Sequence, residues 1–118
     1  MVSKNACSIL DSMTQVLLVE DNQPTRERLA GVIDKTDGLE LQGSAATFGE
    51  AQQLLAQQLP DVLLTDLGLP DGSGIDLIRQ VRGEDKSVEA MVISVFGDER
   101  NVINALEAGA AGYILKDD

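Results

Sequence analysis

Val16-Leu17-Leu18-Val19-Glu20-Asp21-Asn22 holds four consecutive apolar residues that stop abruptly at two acids and an amide. An apolar run without alternation is what a central parallel strand requires, because both of its faces are covered and neither can be polar. Similar runs occur at Val62 to Thr65, which leads into Asp66, and at Met91 to Val95. Strand-like patterns also occupy Leu39 to Ala45 and Gly112 to Leu115, the last followed by Lys116.

Helical patterns fill the intervals. Pro24 suits a first turn, and Leu29, Val32 and Ile33 recur on one face before Asp37 and Gly38 stop the helix. Thr47 and Glu50 predict a capping box ahead of the apolar stripe Ala51, Leu54, Leu55 and Leu59, with Pro60 closing the segment. After a loop containing Gly68, Pro70, Gly72 and Gly74, Ser73 can cap a third helix whose inner face is Leu77, Ile78 and Val81 and whose end is Gly83. Asp98 is expected to cap a fourth, carrying Val102, Ile103, Ala105 and Leu106 and ended by Gly109. Strands alternating with helices at this spacing imply a parallel sheet with right-handed crossovers. The expected fold is therefore α/β: a doubly wound, five-stranded parallel sheet of flavodoxin-like order 2-1-3-4-5, with its ligand crevice at the carboxyl ends of the strands.

With 118 residues the chain fits one compact domain. It divides into an N-terminal extension, residues 1–13, and a domain over residues 14–118. The composition, 43% hydrophobic and 25% charged, is that of a globular protein, and with only Phe48, Phe96 and Tyr113 as aromatics its core must be aliphatic. A net formal charge of −11, without histidine, argues against direct contact with nucleic acid or an anionic membrane. Most of that excess reads as a solvated exterior. Cys7 cannot form an internal disulfide, which fits a reducing compartment. No apolar run is long enough for a membrane span or a secretion signal, so a cytoplasmic location is expected.

The chemistry sits at the strand ends. Glu20 and Asp21 follow the first strand, Asp66 the third, Ser94 lies on the fourth and Lys116 follows the fifth. The expected sheet gathers these groups. Carboxylates brought that close repel by about 1 to 4 kcal/mol per pair at about 4 Å, depending on the dielectric. A cation relieves this, and magnesium suits a hard oxygen site with open positions for phosphate oxygens. Lys116 would supply fixed positive charge and Ser94 a hydroxyl donor, leaving the central Asp66 as nucleophile for a transferred phosphoryl group. Taken singly, each of these residues reads as a helix cap or a solvated side chain, and Tyr113 as a packed aromatic. Only their joint placement points to a site.

The stretches Val16 to Asn22, Asp66-Leu67-Gly68-Leu69-Pro70-Asp71-Gly72-Ser73-Gly74, Val92-Ile93-Ser94 and Ala108 to Asp117 closely resemble the receiver domain of two-component response regulators. The resemblance covers about Gln15 to Asp118. It implies that Asp66 is phosphorylated and that Asp21, Asp66 and the Gly68 carbonyl bind Mg2+, with Glu20 nearby through water. It further implies that Ser94 and Lys116 contact the phosphoryl group and that Tyr113 is the switch aromatic, turning inward on activation. The ending Gly-Tyr-Ile-Leu-Lys-Asp looks like the LuxR/NarL class of DNA-binding regulators. A histidine kinase or phosphotransfer protein is then the donor, the output is a switched protein-interaction surface, and DNA is reached only through a separate DNA-binding domain. Such a module is a signalling domain rather than an enzyme, catalysing only its own phosphorylation and dephosphorylation.

The strand-helix pattern ends at Asp118 without a fifth helix, which reads as a truncated regulator. Right-handed crossovers then leave the first helix to cover one sheet face alone, so apolar strand residues there should be exposed. Self-association as a homodimer, or the extension with Ile9, Leu10 and Met13, is expected to cover them. Among other functions, a phosphohydrolase of the haloacid-dehalogenase kind would want an acid where Gly68 stands. A flavodoxin-like nucleotide binder would not place Glu20 and Asp21 in its phosphate loop. A receiver-like interaction module that is never phosphorylated is a third possibility.

Overall fold

The computed structural model describes residues 13–94 and 99–115. Its elements run β1 (Thr14–Val19), α1 (Gln23–Lys35), β2 (Leu39–Ala45), α2 (Phe48–Gln57), β3 (Val62–Asp66), β4 (Gly68–Leu69), β5 (Gly72–Ser73), α3 (Gly74–Glu84), β6 (Glu89–Ser94), α4 (Glu99–Ala108) and β7 (Gly112–Leu115). The five long strands form one sheet in the order β2-β1-β3-β6-β7, every pair parallel. Counting only those strands, this is the expected 2-1-3-4-5 order of a flavodoxin-like fold. The remaining two, β4 and β5, pair antiparallel as a small separate hairpin where the glycines and proline predicted only a loop.

Side chains alternate across each strand, and β1 shows the result. Leu17 and Val19 join Leu63, Val92, Leu77, Ile78 and Val81 in the larger core, to which α2 adds Ala51 and Leu55 and α4 adds Ala105. Val16 and Leu18 point the other way, into a smaller core with Leu64, Ile93 and the α1 residue Ile33. The strand is apolar throughout because it feeds both layers.

The smaller core is covered incompletely. An open groove of about 340 Å3, bordered by Val16, Leu29, Ile33, Val62, Met91 and Ile114, runs beneath α1. The exposed apolar strand surface expected on that face is met only in part: Ile114 is exposed and Val62 and Met91 half-buried, whereas Val16, Leu18, Leu64 and Ile93 are buried. Ile9 and Leu10, expected as one means of covering it, lie outside the described residues, and Met13 is exposed. Three positions assigned to inward helix faces are instead exposed: Val32 at 57%, Ile103 at 55% and Leu106 at 42%. Val32 borders the groove beneath α1, so its exposure belongs to the incompletely covered face.

Local signals set the helix ends. Asn22 caps α1 by accepting from the Thr25 N–H at 3.0 Å, and Gly38, with φ of 89°, turns the chain back towards β2. Thr47 caps α2 through the Glu50 N–H, while Glu50 reaches back to the N–H of Ala46, one residue earlier than a simple capping box would have it. The next two amides of α2, on Phe48 and Gly49, are bound by Asp71 at 2.7 and 3.0 Å. The helix itself ends at Gln57, before Pro60 is reached. Ser73 caps α3 as expected, but the helix passes through Gly83 and stops at Asp85, whose carboxylate accepts the Ser87 hydroxyl and N–H. The expected caps and strand end at Asp98 and Val95 lie outside the described residues.

Hydrogen bonds from Gly49 and then Phe48 hold the Asp71 carboxyl below its ordinary value, and those from Ser87 do the same for Asp85. A lowered folded-state pKa means stability that is present above the unfolded value and lost as pH falls through the folded one. Thermal midpoints of wild type and Asp71→Asn or Asp85→Asn should therefore differ by a constant amount at neutral pH and converge on acidification below about pH 4. In the core, Leu63→Ala should cost about 2 to 5 kcal/mol in denaturant titrations, because Leu63 is fully buried. Val32→Ala should stay within about 0.5 kcal/mol of wild type.

Candidate functional site

Parallel pairing delivers the polar strand ends to one edge of the sheet. Val19 of β1 is in register with Thr65 of β3, so Glu20 and Asp21 emerge beside Asp66, the last residue of that strand. Asp66 is in turn opposite Ile93 of β6, which places Ser94 one step further along the neighbouring strand. Ser94 is paired with Leu115 of β7, the residue before Lys116. Lys116 itself lies outside the described residues.

Glu20, Asp21 and Asp66 each present a carboxylate oxygen within 4.8 Å of the others. Their environments differ. Glu20 is fully buried, Asp66 half-buried and Asp21 exposed. The Glu20 main chain is tied on both sides, its N–H donating to the Ala45 carbonyl at 3.0 Å and its carbonyl accepting from the Arg26 guanidinium at 2.8 Å. Its carboxylate accepts the Asn22 N–H at 3.1 Å. Among the described residues the cluster offers carboxylate oxygens and is exposed at Asp21, a donor set that suits a hard divalent cation such as Mg2+.

Asp66 Oδ1 accepts the N–H of Gly68, two residues on, at 3.3 Å. Gly68 is exposed at the start of the β4–β5 hairpin, next to the acceptor carboxylate. Gly74 closes the hairpin behind it: its N–H donates to the Leu67 carbonyl at 2.8 Å, and any Cβ there would overlap the carbonyl of Asp66. Ser94 is 3% exposed, on the opposite flank of Asp66 from the acids of β1. Tyr113 is not gathered into the cluster. It sits on the outer strand β7 opposite Val92, with 53% of its surface exposed.

The structure thus brings Glu20, Asp21, Asp66, Gly68 and Ser94 to one edge and sets Tyr113 outside it. Arg26 was not foreseen, since an arginine in the first turn of a helix reads as a solvated charge. The role of Asp71 was equally hidden, because its partners lie 23 and 22 positions away.

Residues 16–118 match the response regulator receiver domain family. Among curated proteins, the chain is 39% identical over 104 residues to the KDP operon transcriptional regulatory protein KdpE of Escherichia coli, covering 88% of this chain and 45% of that protein. It spans about half the length of the first curated relatives it matches. Among solved structures, a two-component response regulator of the LuxR family from Aurantimonas superposes with a TM-score of 0.81 at 31% identity, over 91% of this chain and 76% of the other. The receiver domain of the putative response regulator NarL from Mycobacterium tuberculosis gives 0.82 at 28%, over 91% and 86%. With the family match running from β1 to the end of the chain, and the acidic cluster at the carboxyl edge of the sheet, the chain belongs to the response regulator receiver domains of two-component signalling.

Proposed function

We propose that this receiver accepts a phosphoryl group on Asp66 and thereby switches a protein-interaction surface. The observation that carries the reading is the meeting of three carboxylates, one of them fully buried, at the end of the central strands. A carboxylate oxygen of Asp66 attacks the donor phosphorus, forming a P–O bond as the bond to the donor's leaving group breaks. With a phosphohistidine donor that bond is P–N, and the imidazole departs with its electron pair and takes up a proton. Bound Mg2+, held by Asp21, Asp66 and the Gly68 carbonyl with Glu20 close by, would neutralise charge on the phosphoryl oxygens. Ser94 and Lys116 would hold those oxygens from the other side, so the receiver catalyses only its own modification and its reversal.

The added negative charge draws the Ser94 hydroxyl inward, and the exposed Tyr113 ring follows into the space released. Ser94 and Tyr113 are the switch. A histidine kinase or phosphotransfer protein is the donor, and the full-length protein is a cytoplasmic transcriptional regulator that reaches DNA through a separate domain, as the names of its relatives suggest. No described helix is long and apolar enough to cross a membrane. Homodimerisation would cover the apolar groove beneath α1.

Incubation with Mg2+ and acetyl phosphate should add one phosphoryl group to the intact mass of wild type and none to Asp66→Asn. No addition to wild type, or undiminished addition to Asp66→Asn, would overturn the reading. Asp21→Asn should raise the Mg2+ concentration for half-maximal phosphorylation by about 10-fold or more. Light scattering across a dilution series should show dimer at high concentration, and a strict monomer would exclude self-association.

A further inference from the structure

The hairpin that carries Gly68 is too short to hold itself. Its ladder consists of two residue pairs, Gly68 with Ser73 and Leu69 with Gly72, and a ladder of that length is unstable in water without outside support. At its base the support is Gly74, locked against the Leu67 and Asp66 carbonyls. At its tip the support comes from a different element. Asp71, in the turn, sends one carboxylate oxygen to the Phe48 N–H at 2.7 Å and the other to the Gly49 N–H at 3.0 Å. The Phe48 ring lies so close over Gly72 that a Cβ there would be 2.6 Å from it.

The grip is specific to these groups. The Thr47 hydroxyl caps the Glu50 N–H and the Thr47 carbonyl accepts from Ala51, so the first two amides of α2 are left for an outside acceptor, and a carboxylate at that helix end also meets the positive pole of its dipole. The same two bonds lower the Asp71 carboxyl.

We propose that Asp71 is a positioning residue: by pinning the hairpin turn to the start of α2 it fixes Gly68 relative to Asp66 and so preorganises the cation site. The proposal rests on the reading of Asp66 and Gly68 as metal ligands. Released from α2, the hairpin would have to be ordered when the ion binds, and that ordering cost weakens affinity without removing any ligand.

The test uses the full chain and Mg2+ alone, titrated while the backbone amide resonances of Asp66 and Gly68 are followed by NMR. Asp71→Ala should raise the half-saturating Mg2+ concentration by about 10-fold, with Asp71→Asn, which keeps one acceptor oxygen, in between. At saturating Mg2+ the rate of phosphorylation by acetyl phosphate should return to within about twofold of wild type, because every ligand is still present. Thr47→Ala supplies the structural control, since it removes the cap on the Glu50 N–H and leaves both Asp71 bonds to Phe48 and Gly49 in place. It should lower the thermal midpoint and leave the Mg2+ midpoint unmoved. If Asp71→Ala shifts the Mg2+ midpoint no more than Thr47→Ala does, Asp71 is only a helix cap and the proposal is wrong. If wild type itself shows no saturable response to Mg2+, the metal-site reading falls and takes the proposal with it, an outcome distinguished by its appearance in the wild-type protein.

Discussion

Repulsion among Glu20, Asp21 and Asp66 is the constraint on which the rest of the molecule turns. Three carboxylates with oxygens within 4.8 Å of one another, one of them fully buried, are an arrangement that folding alone would avoid. The neighbouring main chain offsets part of the cost, through the Asn22 N–H at Glu20 and the Gly68 N–H at Asp66. Neither hydrogen bond supplies charge. The apolar sheet beneath, through the parallel register of β1 and β3, is what holds the three acids together.

That rigidity comes from packing, and packing is uneven. The face beneath α2, α3 and α4 carries the larger core, in which Leu17, Leu63, Leu77, Ile78 and Val92 are fully buried. The face beneath α1 is thinner and retains an apolar groove. Glu20, Asp21 and Asp66 stand at the ends of central strands, whereas Tyr113 lies on the edge strand with half of its surface exposed.

Much of the fold was legible because its signals are local or periodic. Unbroken apolar runs marked β1 and β3, and the Thr47 and Ser73 caps marked α2 and α3. Right-handed crossover chirality then left few strand orders to choose from. What escaped depended on partners distant in sequence. The β4–β5 hairpin has no apolar pattern of its own, Val32, Ile103 and Leu106 satisfy helical periodicity yet are exposed, and Gly83 lies inside α3 because the Asp85–Ser87 turn, not the glycine, ends that helix.

The sequence by itself determined which polar residues meet at one edge, since the acids after β1 and β3 and the Ser94 hydroxyl stand at strand ends that come together once the strands are parallel. Tertiary structure alone decided how they differ. Glu20 is buried and Asp21 exposed although they are adjacent in the chain, because consecutive side chains at a strand end leave in different directions and only one of them is covered. It also decided that Asp71 holds α2 rather than solvent, a contact that exists only because the crossovers bring residues 48, 49 and 71 to the same end of the sheet.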